Sequence, residues 1–164
     1  MFAKLIPNHQ IGCVTELTVD RLQTLGLTAL LLDVDGTLKP YLSKEPLPEV
    51  RQWLVDLRQA GIKVCLLSNG RGKRISKVAE SLDLPYIALA MKPSPKGCRR
   101  ALAEHKFDAA TTGMVGDQIF ADVLAGNRAG LTTILVTPIH PEQEPWFARV
   151  KRPFEKIVRT CLYR

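Results

Sequence analysis

Residues 28–38, TALLLDVDGTL, decide the fold. The first five form a continuous apolar run without polar alternation, which reads as a strand buried on both faces. A carboxylate, Asp33, follows directly where that strand emerges. A second, Asp35, lies two residues on, and Gly36 permits a sharp turn. A strand covered on both faces belongs to a parallel sheet flanked by helices.

The rest of the chain agrees with this. Residues 49–60 carry Val50, Trp53, Leu54 and Leu57 at helical spacing, stopped by Gly61. Residues 62–67 (IKVCLL) read as a second strand, with Cys65 in its core. Ile75, Val78, Ala79 and Leu82 form the stripe of a second helix. Residues 86–90 are a short third strand, and Ser94-Pro95 opens a third helix with Ser as N-cap. A fourth strand ends at Met114-Val115. A helix then runs from about Ile119 to Gly130, and residues 132–136 (TTILV) are a fifth strand. The expected class is α/β: a Rossmann-like three-layer αβα sandwich on a five-stranded, mainly parallel sheet, in one domain spanning residues 1–164 with its core at about 28–137. In such sheets ligands bind beyond the carboxyl ends of the strands, at a switch in strand order.

The residues at those ends are Asp33, Ser68, Lys92 and Asp117, with Asp35 and Asp122 close by. Clustered carboxylates repel unless a cation or a shared proton intervenes. Mg²⁺ fits, because it prefers carboxylate oxygens and keeps water and phosphate as further ligands. Lys92 and Ser68 suit a phosphate, one by charge and one by hydrogen bonding. The amides after Ser68 add donors where the next helix begins. Each piece alone is ordinary: DxD pairs are common in loops, and a Ser-Asn-Gly is most often a turn. Their order at consecutive strand ends is not ordinary.

DVDGTL, Ser68, Lys92 and GDQIFAD (residues 116–122) together resemble the four motifs of the haloacid dehalogenase superfamily of phosphatases, over residues 28–137. The resemblance implies that Asp33 is the nucleophile of an aspartyl-phosphate intermediate and Asp35 the general acid and base. It implies Mg²⁺ held by Asp33, Asp35 (through its backbone carbonyl) and Asp117, with Asp122 in support. Ser68, Asn69 and Lys92 would bind the phosphoryl oxygens, and Thr37 would orient the loop after the nucleophile. Relatives often carry Asn where this chain has Gly36 and Gly70.

Only residues 39–47 separate the first motif from the next helix, and one helix and one strand fill the space between Ser68 and Lys92. A capless fold with an open site follows, suited to a phosphate monoester on something large. MKPSPKG (91–97), residues 116–130 and TTILVTPI (132–139) extend the resemblance to subfamily IIIA. Within it they resemble the small capless phosphatases whose characterised members convert phosphatidylglycerophosphate to phosphatidylglycerol. A phospholipid headgroup is therefore the expected substrate, with a soluble sugar phosphate, a nucleic-acid end or a catalytically silent module as alternatives. No run of basic and aromatic residues marks a nucleic-acid groove, so no nucleic-acid partner is expected.

The chain is basic, at +7 over 164 residues, which favours anionic partners. Residues 144–164 hold six Lys or Arg against two Glu, and place Phe147, Val150, Phe154, Ile157, Val158, Cys161 and Leu162 at helical spacing. Trp146 and Tyr163 mark the ends, and Pro153 implies a kink or restart. Such a helix suits an anionic membrane surface. Alternatively it packs its apolar side on the domain, and the two can coexist. The N-terminal segment reads as a short apolar stretch followed by a helix opened by Thr18, with Leu22 and Leu25 facing inward. Four cysteines without CxxC spacing imply free thiols and a reducing compartment. With neither a signal peptide nor a membrane span, the expected location is cytoplasmic, peripheral to a membrane. Oligomeric state leaves no mark on the sequence.

Overall fold

The computed structural model describes residues 2–162, without the side chains of Phe2, Phe147, Arg159, Cys161 and Leu162. The expectations placed on Phe147, Cys161, Leu162 and Tyr163 thus fall outside the described residues. The strands are β1 (His9–Ile11), β2 (Ala29–Leu32), β3 (Lys63–Leu67), β4 (Tyr86–Ile87), β5 (Thr112–Gly116) and β6 (Thr132–Val136). The helices are α1 (Val19–Thr24), α2 (Pro48–Gln59), α3 (Gly72–Leu82), α4 (Lys96–His105), α5 (Leu124–Ala129), α6 (Trp146–Arg149) and α7 (Arg152–Leu162).

The strands form one sheet in the order β1-β6-β5-β2-β3-β4, every pairing parallel. Side chains alternate across β2. Leu30 and Leu32 join a cluster with Trp53, Leu57, Leu66 and Ile75 on one face, while Leu31 joins Cys65, Leu67, Met114 and Ala101 on the other. Burying each such leucine stabilises the fold by roughly 1.5–3 kcal/mol, so β2 is a middle layer with helices on both sides. This is the α/β sandwich expected, with one strand more.

The sixth strand is β1. It is three residues long and pairs with residues 134–136. Nothing in HQI announces a strand locally, because the pairing depends on a partner more than 120 residues away. Asn8 secures it: the Thr133 N–H donates to Asn8 Oδ1 at 2.7 Å and the Asn8 N–H to Thr133 Oγ1 at 3.2 Å. β4 is shorter than expected, because residues 88–90 leave the sheet and fold back over the end of β3. There the Leu89 N–H donates to Gly70 O (3.2 Å) and the Ala90 N–H to Ser68 O (2.9 Å). α4 starts at Lys96, one residue later than expected. Pro95 occupies the cap position, and Ser94 Oγ accepts from the Lys96 N–H at 3.3 Å.

The C-terminal segment breaks as Pro153 implies. The proline falls in the first turn of α7, where its missing N–H costs nothing. The apolar residues of the segment divide. Val158 packs with Leu5 against Ile119, Val123 and Leu135, whereas Val150, Phe154 and Ile157 are more than half exposed.

Candidate active site

Strand order reverses at β2, whose neighbours are β3 on one side and β5 on the other. Asp33 follows Leu32 there, and its N–H donates to Val115 O at 2.9 Å. Asp117 follows β5 and Ser68 follows β3, so register alone brings three of the expected residues to one edge. Lys92 arrives from the loop beyond β4. The Asn69 carboxamide holds its backbone in place: Nδ2–H donates to Lys92 O (2.9 Å) and the Lys92 N–H donates to Asn69 Oδ1 (2.8 Å). Asn69 thus places Lys92, and its side-chain amide is already engaged on both ends.

Lys92 Nζ donates to Asp33 Oδ1 at 2.6 Å, Asp122 Oδ1 at 2.7 Å and Leu67 O at 2.9 Å. Thr37 Oγ1 lies 3.3 Å from Asp33 Oδ2 and 3.4 Å from Asp117 Oδ1. Its single proton serves one carboxylate at a time. Asp122 reaches the site because residues Ile119–Val123 form one π-helical turn. The wider turn brings positions five apart toward one face, a device frequent at functional sites. The Gln118 N–H donates to Asp122 Oδ2 at 3.0 Å. Gly116 is obligatory, since a Cβ there would lie 2.2 Å from Asp122 Cγ. Gly36 turns the loop with φ +83, and a Cβ there would meet Asp117 Oδ2 at 2.9 Å. An asparagine at Gly36 would need this contact to open.

Carboxylate oxygens of Asp33, Asp117 and Asp122 lie within 4.8 Å of one another, all buried. Burial pushes the Asp33 carboxyl up, Lys92 opposes this, and Asp122 and Asp35 add to it. Burial also raises Asp117, reinforced by Asp33 and Asp122 and opposed by Arg152. For Lys92, burial favours loss of the proton, but Asp122 and Asp33 more than offset it, and the ammonium is held. Asp33 and Asp122 therefore share one ammonium, while Asp117 shares the Arg152 guanidinium with Glu144 and Glu155, and the donor set is short of positive charge. Hard oxygen donors at this spacing fit a divalent cation. Saturating divalent metal is expected to raise the melting temperature, and EDTA to reverse the rise. At about 100 times its Kd the ion stabilises the fold by about 2.7 kcal/mol, or roughly 2–4 °C per kcal/mol for a chain of this size. A metal-independent melting curve would exclude the site.

Asp35 sits apart from this trio. Its Oδ1 accepts from Lys39 Nζ at 2.6 Å and from Arg74 Nη1 at 3.0 Å, and its Oδ2 accepts from Arg74 Nη2. Lys39 is fully buried and also donates to Ser43 O at 2.8 Å. Ser68 Oγ accepts from the Gly70 N–H at 3.0 Å. Asp35, Arg74 and Ser68 open, with Asp33, Lys92 and Asp122, onto a cavity of about 210 Å³ that also meets Tyr41 and Lys151.

No motif or spacing marks Arg152 as a site residue. From the start of α7 it donates to Asp117 O at 2.8 Å through Nη1 and to Asp117 Oδ2 through Nη2. Its Nε donates to Glu144 at 3.0 Å and its Nη1 to Glu155 at 2.9 Å. Glu144 and Glu155 are themselves buried. Of the missed residues, Lys39 alone had a local signal, four positions after Asp35. Arg74 and Arg152 reach the site only through tertiary folding.

This edge of the sheet is that of a haloacid dehalogenase-like hydrolase, and a model of that family matches residues 2–130. The chain belongs to this family and is one of its phosphatases. It is 29% identical over 159 residues to a Bacillus subtilis (strain 168) protein named "Probable phosphatase YqeG", covering 97% of this chain and 92% of that one. It is 28% identical over 145 residues to chloroplastic phosphatidylglycerophosphate phosphatase 1 of Chlamydomonas reinhardtii, covering 83% of this chain and 54% of that one. The chain thus spans about half the length of the algal relative. The fold is shared with 3-deoxy-D-manno-octulosonate 8-phosphate phosphatase of Moraxella catarrhalis, solved with magnesium and phosphate ions, at a TM-score of 0.59 and 13% identity over 87% of this chain and 92% of that one.

Proposed function

We propose that this chain is a Mg²⁺-dependent phosphatase that removes the terminal phosphate of phosphatidylglycerophosphate at a membrane surface. The observation that carries the lipid half is the rim of the site. Leu42, Leu89, Met91, Trp146 and Val150 are all more than half exposed, and all lie on segments that follow the carboxyl ends of β2, β4 and β6. Leu89 and Met91 are held at φ +50 and +58. Such conformations cost of order 1–3 kcal/mol each and cluster at functional sites. Exposed apolar residues around an uncapped anion site match an amphiphile that presents its phosphate from a lipid surface. The algal relative's name points to the same substrate. Among the described residues no helix is long and apolar enough to cross a membrane, so contact would be from one side.

In the reaction, an Asp33 oxygen forms a bond to phosphorus as the ester oxygen leaves with a proton from Asp35. Water then attacks the aspartyl-phosphate and returns its proton to Asp35, freeing Asp33. Lys92 fixes Asp33 Oδ1, so Oδ2 is the freer oxygen. Asp35 lines the same cavity, and Arg74 would have to release it for an Asp35 oxygen to meet the leaving group. Mg²⁺ would be held by Asp33, Asp117, the Asp35 carbonyl and Asp122, and would offset the charge of the transferring phosphoryl group. Ser68 and the Lys92 ammonium would meet the phosphoryl oxygens.

Phosphate release from vesicles containing phosphatidylglycerophosphate, with Mg²⁺ or EDTA, tests this against glucose 6-phosphate and a 3′-phosphorylated oligonucleotide. Fast, Mg²⁺-dependent release from the lipid alone supports it. Release only from a soluble phosphate rejects the lipid half. Phe154→Asp with Ile157→Asp is expected to lower vesicle co-sedimentation and lipid turnover at least about 10-fold, by placing two anions in the exposed stripe. Unchanged sedimentation would show that α7 does not meet the membrane.

A further inference from the structure

A second, larger cavity of about 530 Å³ adjoins the active site, and Tyr41 and Arg74 line both. Its walls are the loop after β2, with Leu42 and Lys44, and the polar face of α3, with Lys73, Arg74 and Lys77. Its one carboxylate, Glu45, is taken up by Arg51 outside the cavity. Among the described residues, Lys44, Lys73 and Lys77 enter no ion pair, and Arg74 pairs with Asp35.

The fold alone does not account for these charges. α3 has no acidic residue in its first turn and opens with Arg71, Lys73 and Arg74, where the helix dipole favours carboxylates. Lys73 and Lys77 stand four apart on one face, where like charges repel. Both arrangements oppose helix stability, and both concentrate positive potential beside the phosphoryl site.

We infer that this cavity is a second anion subsite that takes a phosphodiester carried by the same substrate molecule. The inference rests on the phosphatase reading above and adds that the substrate carries two phosphates, one hydrolysed at Asp33 and one held by Lys73, Lys77 and Arg74. Phosphatidylglycerophosphate has that chemistry, as does its deacylated backbone, glycerophosphoglycerophosphate.

The test compares kcat/KM for glycerophosphoglycerophosphate and for glycerol 3-phosphate, which lacks the diester. The wild type is expected to prefer the first at least about 10-fold, and Lys73→Gln with Lys77→Gln to lower that ratio about 10-fold. Lys63→Gln with Lys106→Asn removes two charges at the opposite edge of the sheet and should leave the ratio intact. A ratio unmoved by the α3 pair, or moved equally by the distant pair, overturns the subsite. A wild-type ratio near one alongside rapid turnover of lipid in vesicles overturns the subsite and spares the lipid reading. Equal rates on the soluble backbone and on vesicles do the reverse, provided the ratio responds to Lys73 and Lys77. NMR titration with glycerophosphoglycerol, which has the diester and nothing to hydrolyse, tests the subsite without turnover. Shifts at Lys73, Arg74 and Lys77 support it, and their absence overturns it.

Discussion

Asp33→Asn is expected to lose at least about 10⁴-fold in phosphate release, on the scale of removing a catalytic nucleophile, while its melting temperature holds or rises. The two halves have one cause. Asp33 is buried against Asp122 and Asp117; Lys92 serves only Asp33 and Asp122, and the guanidinium on Asp117 is already matched by Glu144 and Glu155, so the wild type holds like charges together without metal. The amide keeps the shape and removes a charge. Lys92 keeps Asp122 and Leu67 O as acceptors, so no cation is stranded. Malachite-green phosphate assays and thermal unfolding in EDTA read the two effects on one sample. Substantial turnover by the variant would remove Asp33 from the chemistry. A large fall in stability would mean that the Lys92–Asp33 pair outweighs the repulsion.

Arg152→Met is expected to cost about 3–5 kcal/mol in stability, because it leaves Glu144, Glu155 and Asp117 buried without their guanidinium. Mg²⁺ affinity should weaken 10–100-fold, as is usual when the group orienting a metal ligand is removed. Charge alone argues the other way, since a cation near the site repels metal. Glu144 and Glu155 already neutralise the guanidinium, however, so the main loss is the hold on Asp117. Arg152→Lys keeps the charge and loses the fork that serves three carboxylates at once, and should fall between. Urea unfolding and calorimetric Mg²⁺ titration measure the two quantities separately. Tighter Mg²⁺ binding by a folded Arg152→Met would show that repulsion wins.

The contrast between Asp33 and Arg152 also marks what could be read in the chain. Buried parallel strands leave uninterrupted apolar runs, so the ends of β2, β3 and β5 and the residues just past them were legible, and with them Asp33, Ser68 and Asp117. Lys92 was legible through its motif, although the bracket by which Asn69 holds it was not. β1 went unread because three residues carry no period and its partner is distant. The π-turn has no compositional signature, so although Asp122 was expected in support, the turn that carries it to Lys92 and within 4.8 Å of Asp33 and Asp117 was not legible. Arg74 and Arg152 each reach the site from another helix, and sequence spacing has nothing to say about that.

The sheet ends on two very short strands, β1 with three residues and β4 with two. An edge strand is a row of unpaired amides and carbonyls on which a second chain can crystallise into a longer sheet. Here each edge offers barely one repeat of that row, and beyond β4 the chain turns back over its own β3. A chain with a continuous parallel core of leucine and valine strands would otherwise be a strong template for ordered aggregation, and this one is blunted at both ends.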